Sequence, residues 1–383
     1  MRKQVLVIQG ADYTHQSLAP YVDVSIICTK AHAETLAAKQ YRHIFIVDDL
    51  ADFDEIEKLN LGDFSFDFVY SFSESYQQLA AKIADTYEIA GFTEDDIRFL
   101  NDKHRVRNRL DEVGLSHCKS QSVHSKQQIL SLISAFNYPF ILKPDHGIGG
   151  HGVRKINSLQ DLQDLDIEDL SDYVMETFID GTEYSVETFS NLGQHHVLNV
   201  TEKIKDSNMN EVGHIIPARL TADETQRIAA YMTQINDALG IKSGVGHTEI
   251  IVTKDDHIEL VETHIRMGGG MMGVLMNNVY HCDVVACWGD LIADNKSVSH
   301  LPDWNGSYSS IMSVFPTKRG VITRLDVPND DSFKTIIRKQ VGDTVDDIDN
   351  QNRILQMMGT DTDPDRLKMN LLHRLKQVIV EIG

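Results

Sequence analysis

Two carboxylates in one stretch carry the clearest chemical signal in the chain. Residues 246–270, GHTEIIVTKDDHIELVETHIRMGGG, hold two strand-like runs joined at Asp255-Asp256. The pattern reads as a β-hairpin, and folding it at that turn sets Glu249 opposite Glu262. Cross-strand neighbours share a face, and like charges so placed are destabilising unless a cation stands between them. A divalent ion that bridges phosphates suits two such carboxylates; an exposed edge that tolerates the repulsion is the alternative. Arg266 follows Glu262 by four residues, where the strand pattern gives way to Gly268-Gly269-Gly270. A guanidinium there suits the charge that develops on a phosphorylated intermediate; an ordinary surface salt bridge is the other reading.

The second signal is KPDHGIGGHGVRKI, residues 143–156, with Gly147, Gly149, Gly150 and Gly152 between two strand patterns. Such a loop has little side-chain bulk and can turn backbone N–H groups toward phosphate oxygens. It is not a Walker A loop, because no G-K-[ST] closes it. Taken alone, a flexible hairpin is the alternative reading.

These residues need elements to hold them. Short apolar runs at residues 4–9, 22–28, 43–47 and 66–70, with a helical pattern over 75–90, predict a parallel α/β sheet in roughly the first 95 residues. The first strand ends at Gly10 without a G-x-G-x-x-G, which disfavours a Rossmann-type dinucleotide site. Helices are expected over 103–113, 126–136, 221–239 and near 272–282, and strands over 140–143, 173–178, 183–189, 195–204, 307–315 and 320–325. The acidic run LQDLQDLDIEDL within 158–172 reads as a solvent-facing helix, and a last helix is expected around 363–375. The expected organisation is an N-terminal α/β domain over 1–95, a core over 96–300 with a mobile glycine-loop lobe at about 120–190, and a C-terminal α+β part over 301–383.

Composition narrows the class. The chain has 383 residues, 42% of them hydrophobic, which suits a globular enzyme of two or three lobes. Against 36 basic residues stand 57 acidic ones, a net charge of −21, so no nucleic-acid partner is expected. Cys28, Cys118, Cys282 and Cys287 form no C-x-x-C pair and read as isolated thiols rather than a zinc site or disulfide scaffold. No run of 18 apolar residues and no signal-peptide pattern is found, so no membrane partner and a cytoplasmic location are expected.

The ordered set of motifs resembles the ATP-grasp superfamily, and within it the carboxylate–amine ligases, most of all the bacterial L-amino acid ligases that form dipeptides. The resemblance covers about residues 1–300. It rests on Asp102-Lys103, on K-P-x-x-G-x-G-G-x-G-V from Lys143 to Val153, on M-E-x-F-I-x-G-x-E-Y-S-V-E from Met175 to Glu187, and on Glu249, Glu262 and Arg266 before glycines. It implies an ATP-grasp fold: a parallel α/β domain, then two α+β lobes enclosing the nucleotide, with a C-terminal extension.

By the same resemblance, ATP and magnesium are the cofactors. Lys103 and Lys143 would contact the phosphates, and the loop from His146 through Gly147, Gly149, Gly150 and Gly152 would close over them. Glu176 and the backbone at Phe178 would meet adenine, and Glu183 the ribose. Glu249 and Glu262 would ligate the metal, Arg266 would hold the transferring group, and His214, in GHIIPA, would face substrate. One triplet departs from the family pattern: Glu262-Thr263-His264 stands where many members have E-x-N. Imidazole is a poor magnesium ligand. Either Glu262 and water hold the second ion, or His264 coordinates a softer ion such as manganese, or it contacts substrate. The expected reaction joins a small carboxylate to an amine through an acyl phosphate. Rivals are a D-alanine-type, purine-pathway or carboxylase-like ligase, or a nucleotide-binding regulator without turnover. No A-M-K-M biotinylation segment is present. Met267, Met271, Met272 and Met276 read as core before substrate pocket, and a homodimer is expected.

Overall fold

The computed structural model describes residues 2–37, 40–145, 152–165, 167, 169–206, 211–281, 283–294, 303–328, 332–348 and 352–383. The N-terminal sheet is parallel throughout, with β1 (Gln4–Ile8), β2 (Asp23–Thr29), β3 (Tyr41–Val47) and β4 (Phe68–Tyr70) in the order β3-β2-β1-β4. A parallel strand covered on both faces reads as a continuous apolar run, and β1 shows why. Val5 and Val7 pack into a cluster with Trp288, while Leu6 and Ile8 pack into another with Ile83.

A second, antiparallel sheet contains β5 (Ser120–Val123), β6 (Phe140–Pro144), β7 (Arg154–Ile156) and β8 (Tyr173–Thr177), ordered β5-β8-β6-β7. Ile129 and Phe136 of the helix Lys126–Phe136 pack with Phe140, Leu142 and Met175 of this sheet. Among its described residues the acidic run forms the short helix Leu159–Gln163, with Leu162 buried. No helix among the described residues is long and apolar enough to cross a membrane.

The largest sheet has eight strands: β9 (Gly181–Asn191), β10 (Gln194–Lys205), β11 (Glu211–Ile216), β12 (Gly244–Thr253), β13 (Ile258–His264), β14 (Tyr308–Val314), β16 (Lys334–Ile337) and β18 (Leu355–Asp361). Their order is β13-β12-β9-β10-β11-β14-β18-β16, so the sheet continues past residue 300 without a break. A small sheet of β15 (Gly320–Asp326), β17 (Thr344–Val345) and β19 (Ile379–Ile382) lies beyond it.

The two faces of the eight-stranded sheet differ sharply. The helix Ala222–Ala238 opens on a capping box between Thr221 and Glu224. It buries Ile228, Tyr231, Met232 and Ile235 against Val186, Val200, Ile250 and Leu260. Register places a polar set on the opposite face: Ser185 and Glu187 on β9 pair with Glu249 and His247 on β12, which pair in turn with Glu262 and His264 on β13. On β10, Lys203 pairs with His214 of β11.

A β-bulge makes this possible. Pairing runs Ile250↔Leu260 on the turn side and Glu249↔Glu262 beyond it, so Val261 is the extra residue. Side chains alternate along a strand, and Leu260 and Glu262 would otherwise share the apolar face. The turn-side ladder is centred on Asp255, and the bulge restores the Glu249–Glu262 pairing that a turn at Asp255-Asp256 predicts.

Candidate active site

The polar face of β9–β13, the turn at residues 268–270 and the edge of the N-terminal sheet enclose a cavity of about 560 Å³. Its wall includes Glu249, Glu262, His264, Arg266, Lys203, Glu211 and His214, with Gly10, Ala11, Tyr13, Thr14 and Phe72 to Ser75 also lining it. A smaller chamber of about 350 Å³, lined by Lys103, Arg107 and residues 260–264, shares Glu74, Glu262 and His264 with the first.

Glu249 and Glu262 stand opposite each other, as the hairpin predicts. Burial alone would raise the pKa of both. For Glu249 the Lys203 ammonium and His247 outweigh burial and hold the carboxyl well below its ordinary range. Glu262 is held below its ordinary value too, against burial and Glu249, by His264 and Lys103.

Lys203 is the charge that sequence reasoning missed. Its buried ammonium lies 3.1 Å from Glu183 and 3.1 Å from Glu211 and also pairs with Glu249. Burial opposes that charge, yet the three acids, Glu249 first, raise it well above the ordinary lysine value. Lys203 in turn overcomes the burial of Glu211 and depresses its carboxyl to about 2.

Behind the paired acids His247 donates from Nδ1 to Glu187 Oε1 at 2.5 Å, and its Nε2 lies 3.6 Å from Glu249. Burial disfavours its protonation, but Glu187 outweighs this and raises it to about 10. Glu187 also accepts the Gly268 N–H at 3.0 Å, tying the glycine turn to β9. A Cβ at Gly268 would meet His247 Nδ1 at 2.7 Å and Glu187 Oε1 at 2.8 Å, so the close approach requires glycine. Gly270 has φ +60°, and its carbonyl accepts from His214 Nε2 at 3.1 Å. His214 Nδ1 faces Glu211 at 3.2 Å.

Arg266 reaches the same cavity and donates from Nε (2.7 Å) and Nη2 (2.6 Å) to Glu74, a residue of the N-terminal part. Tyr70 OH and Gln77 Nε2 both donate to the Ile265 carbonyl, at 2.5 and 3.1 Å, and so fix the strand end that carries Arg266. His264 turns Nε2 to Glu262 (3.3 Å) and Nδ1 to Glu74 (3.7 Å).

The remaining predicted residues are distributed around this centre. Lys103 opens the helix Lys103–Glu112, capped by Asp102, donates to the Asp145 carbonyl at 2.8 Å and stands 3.9 Å from Glu262. Lys143 lines neither cavity; it is buried 2.8 Å from Glu176, which Arg107 approaches at 3.6 Å. Glu183 is held by Lys203 and Lys205, and Phe178 lies under Lys155. Gly152 sits beside Pro144 and Tyr173. His146, Gly147, Gly149 and Gly150 lie outside the described residues, as does Cys282. Among the methionines, Met267 and Met272 line the larger cavity, while Met276 is core.

Two facing carboxylates offer hard oxygen donors of the kind magnesium takes. Among the described residues no three acidic, imidazole or thiol side chains form a ready-made metal cage.

Residues 136–274 match the ATP-grasp domain family. The alanine–anticapsin ligase of Bacillus subtilis is 21% identical over 268 residues, 63% of this chain and 56% of that protein. A D-alanine–D-alanine ligase of Phocaeicola vulgatus is 26% identical over 148 residues, 36% of this chain and 45% of its own. The chain thus spans about half the length of these curated relatives. The crystal structure of the L-amino acid ligase from Bacillus licheniformis superposes with a TM-score of 0.80 at 18% identity, covering 100% of both chains. The chain therefore has the fold of that L-amino acid ligase, and its residues 136–274 are similar to the ATP-grasp domain family.

Proposed function

We propose that the protein is an ATP-dependent, ADP-forming ligase that joins a small carboxylate, an amino acid in the first instance, to an amine. The observation that carries this reading is the convergence of Glu249, Glu262 and Arg266 on one cavity whose wall also holds Lys203 and His214. The similarity to alanine–anticapsin ligase and to an L-amino acid ligase supports the amino-acid substrate class.

In the first step a carboxylate oxygen of the donor attacks the γ-phosphorus of ATP, the bond to the β-phosphate oxygen breaks, and ADP leaves. In the second step the amine attacks the acyl carbon, the C–N bond forms, and phosphate departs with the donor's oxygen and the amine's surplus proton. Glu249 and Glu262 would hold magnesium, which neutralises phosphate charge when bound. We favour magnesium over manganese because His264 turns its Nε2 to Glu262, so the facing donors are oxygens. Lys103, 3.9 Å from Glu262, would border the phosphate end, and Lys143 with Glu176 would belong to the nucleotide side. Arg266, held in orientation by Glu74, stabilises charge on the transferring phosphoryl group. The loop 146–152 would exclude water from the acyl phosphate, which hydrolysis would otherwise destroy. An ATP-consuming enzyme of this kind belongs in the cytoplasm, and a two-fold homodimer is the assembly we assign.

The test is nucleotide analysis after incubation with a panel of paired amino acids. ADP and phosphate should form only when both substrates are present, and Glu262→Gln and Arg266→Ala should each lower the rate by at least ~100-fold. Carboxylate-dependent AMP, or no turnover with any pair, would overturn the reading.

A further inference from the structure

A chain of buried charges runs between the four-stranded and the eight-stranded sheets, and the chemistry above does not use its centre. Arg107 stands one turn after Lys103 on the helix Lys103–Glu112 and lines the smaller chamber. Its buried guanidinium faces acids of two different sheets. Nη2 lies 3.6 Å from Glu176 Oε2 on β8, and Nη1 lies 3.6 Å from Glu259 Oε2 on β13. Glu176 Oε2 also takes Lys143 Nζ at 2.8 Å, and Glu259 accepts from Ser116 Oγ at 2.8 Å and from the His117 N–H at 2.6 Å. Lys143, Glu176, Arg107 and Glu259 therefore alternate in sign from one sheet to the other.

Burial opposes both charges at the centre of this chain. For Arg107 the acids, Glu176 first, outweigh it and keep the guanidinium protonated. For Glu176, Lys143 and Arg107 outweigh it and hold the carboxyl below its ordinary value. The chain is balanced in charge but open in hydrogen bonding. Both arginine–carboxylate contacts, at 3.6 Å, exceed hydrogen-bond length, and Arg107 Nε and Glu176 Oε1 are buried without a hydrogen-bond partner. Buried polar atoms are normally paired, so an orphan donor and an orphan acceptor on ion-paired neighbours point to a group that supplies both complements. Adenine does so, because its N6 amino group donates and a ring nitrogen near it accepts. A 6-oxopurine sets an oxygen acceptor against the carboxylate oxygen instead, and the two repel.

We propose that Arg107 sets Glu176 to read the nucleobase, so that the nucleotide pocket selects a 6-aminopurine over a 6-oxopurine. This rests on the reading that puts the nucleotide beside Lys143 and Glu176. Lys143 and Arg107 engage Glu176 Oε2, which leaves Oε1 to accept from the amino group, and the Arg107 Nε–H donates to the ring nitrogen. Both atoms are closed off in this structure, and the base reaches them by widening the smaller chamber that Arg107 already lines. Glu259 braces the guanidinium from the strand that carries Glu262, so base and phosphates are read from one frame. Arg107 is then a specificity residue and takes no part in phosphoryl transfer.

The experiment titrates MgADP and MgIDP, which differ only at that base edge, into the full-length protein by calorimetry, so that binding is read without turnover. Wild type should bind ADP more tightly than IDP by about 10- to 100-fold, the worth of a hydrogen bond to a charged group. Arg107→Lys keeps the charge but cannot span both acids. It should cut that ratio by about tenfold and raise the KM for ATP more than it lowers kcat. Glu176→Gln, whose amide can turn an N–H toward a 6-oxo group, should level the two nucleotides. Equal weakening of ADP and IDP in Arg107→Lys, or an unchanged ratio in either variant, would overturn the proposal. If wild type binds both nucleotides alike, only the Arg107–Glu176 assignment falls. No binding of either by wild type would remove the nucleotide reading and this inference with it.

Discussion

Three carboxylates, Glu183, Glu211 and Glu249, close on one buried ammonium at Lys203. Removing one partner of a buried charge set leaves the others uncompensated, at a cost on the order of 3–5 kcal/mol. Lys203→Met should therefore lower the unfolding midpoint sharply at neutral pH. The pH dependence follows from Glu211, whose carboxyl is depressed from an ordinary 4.5 to about 2 by Lys203. A depressed acid contributes stability that is present above its unfolded pKa and lost as pH falls through the folded one. The gap between wild type and Lys203→Met should be widest above about pH 4.5 and shrink toward pH 2, measured by thermal unfolding across that range. A gap independent of pH would contradict the assigned charge balance. At this scale the sequence was legible where spacing alone pairs residues, as for Glu249 and Glu262. Lys203 escaped because a lysine on an alternating strand reads as solvent-facing, and its burial depends on acids from three other strands. Glu74 escaped because its partner, Arg266, is 192 residues away in sequence.

Among the elements, the β12–β13 hairpin and the glycine turn after it do most to shape the site. The Val261 bulge moves Glu262 off Leu260's apolar face, and the turn brings Gly268 and Gly270 against His247 and His214. A Cβ at Gly270 would lie 2.8 Å from His214 Cε1, on a backbone whose positive φ already disfavours side chains. Gly270→Ala should cost about 1–3 kcal/mol in stability and displace the turn that follows Arg266, lowering ligase turnover by more than tenfold. Wild-type turnover in that variant would mean the turn is not part of the working geometry. The N-terminal strands were readable because a doubly buried parallel strand is a bare apolar run. β11 was not read as a strand, although His214 on it was singled out, and neither was β18, while β16, β17 and β19 are only two to four residues long. The bulge was invisible: an extra residue changes which face a side chain takes without changing any residue type.

On the scale of the molecule, the cavity exists only because separate parts of the chain meet. The N-terminal part supplies Glu74, Tyr70 and Gln77, the eight-stranded sheet supplies the polar face, and the C-terminal part supplies Arg353. Glu74, Glu262 and His264 are common to both chambers, so the proposed nucleotide and substrate sites would share one cleft. Oxygen tracing tests most directly whether the donor carboxylate becomes an acyl phosphate. With a donor amino acid labelled by oxygen-18 in both carboxylate oxygens, one labelled oxygen should appear in the released phosphate and the other should remain in the amide. Label in AMP, or phosphate free of label while amide forms, would contradict it.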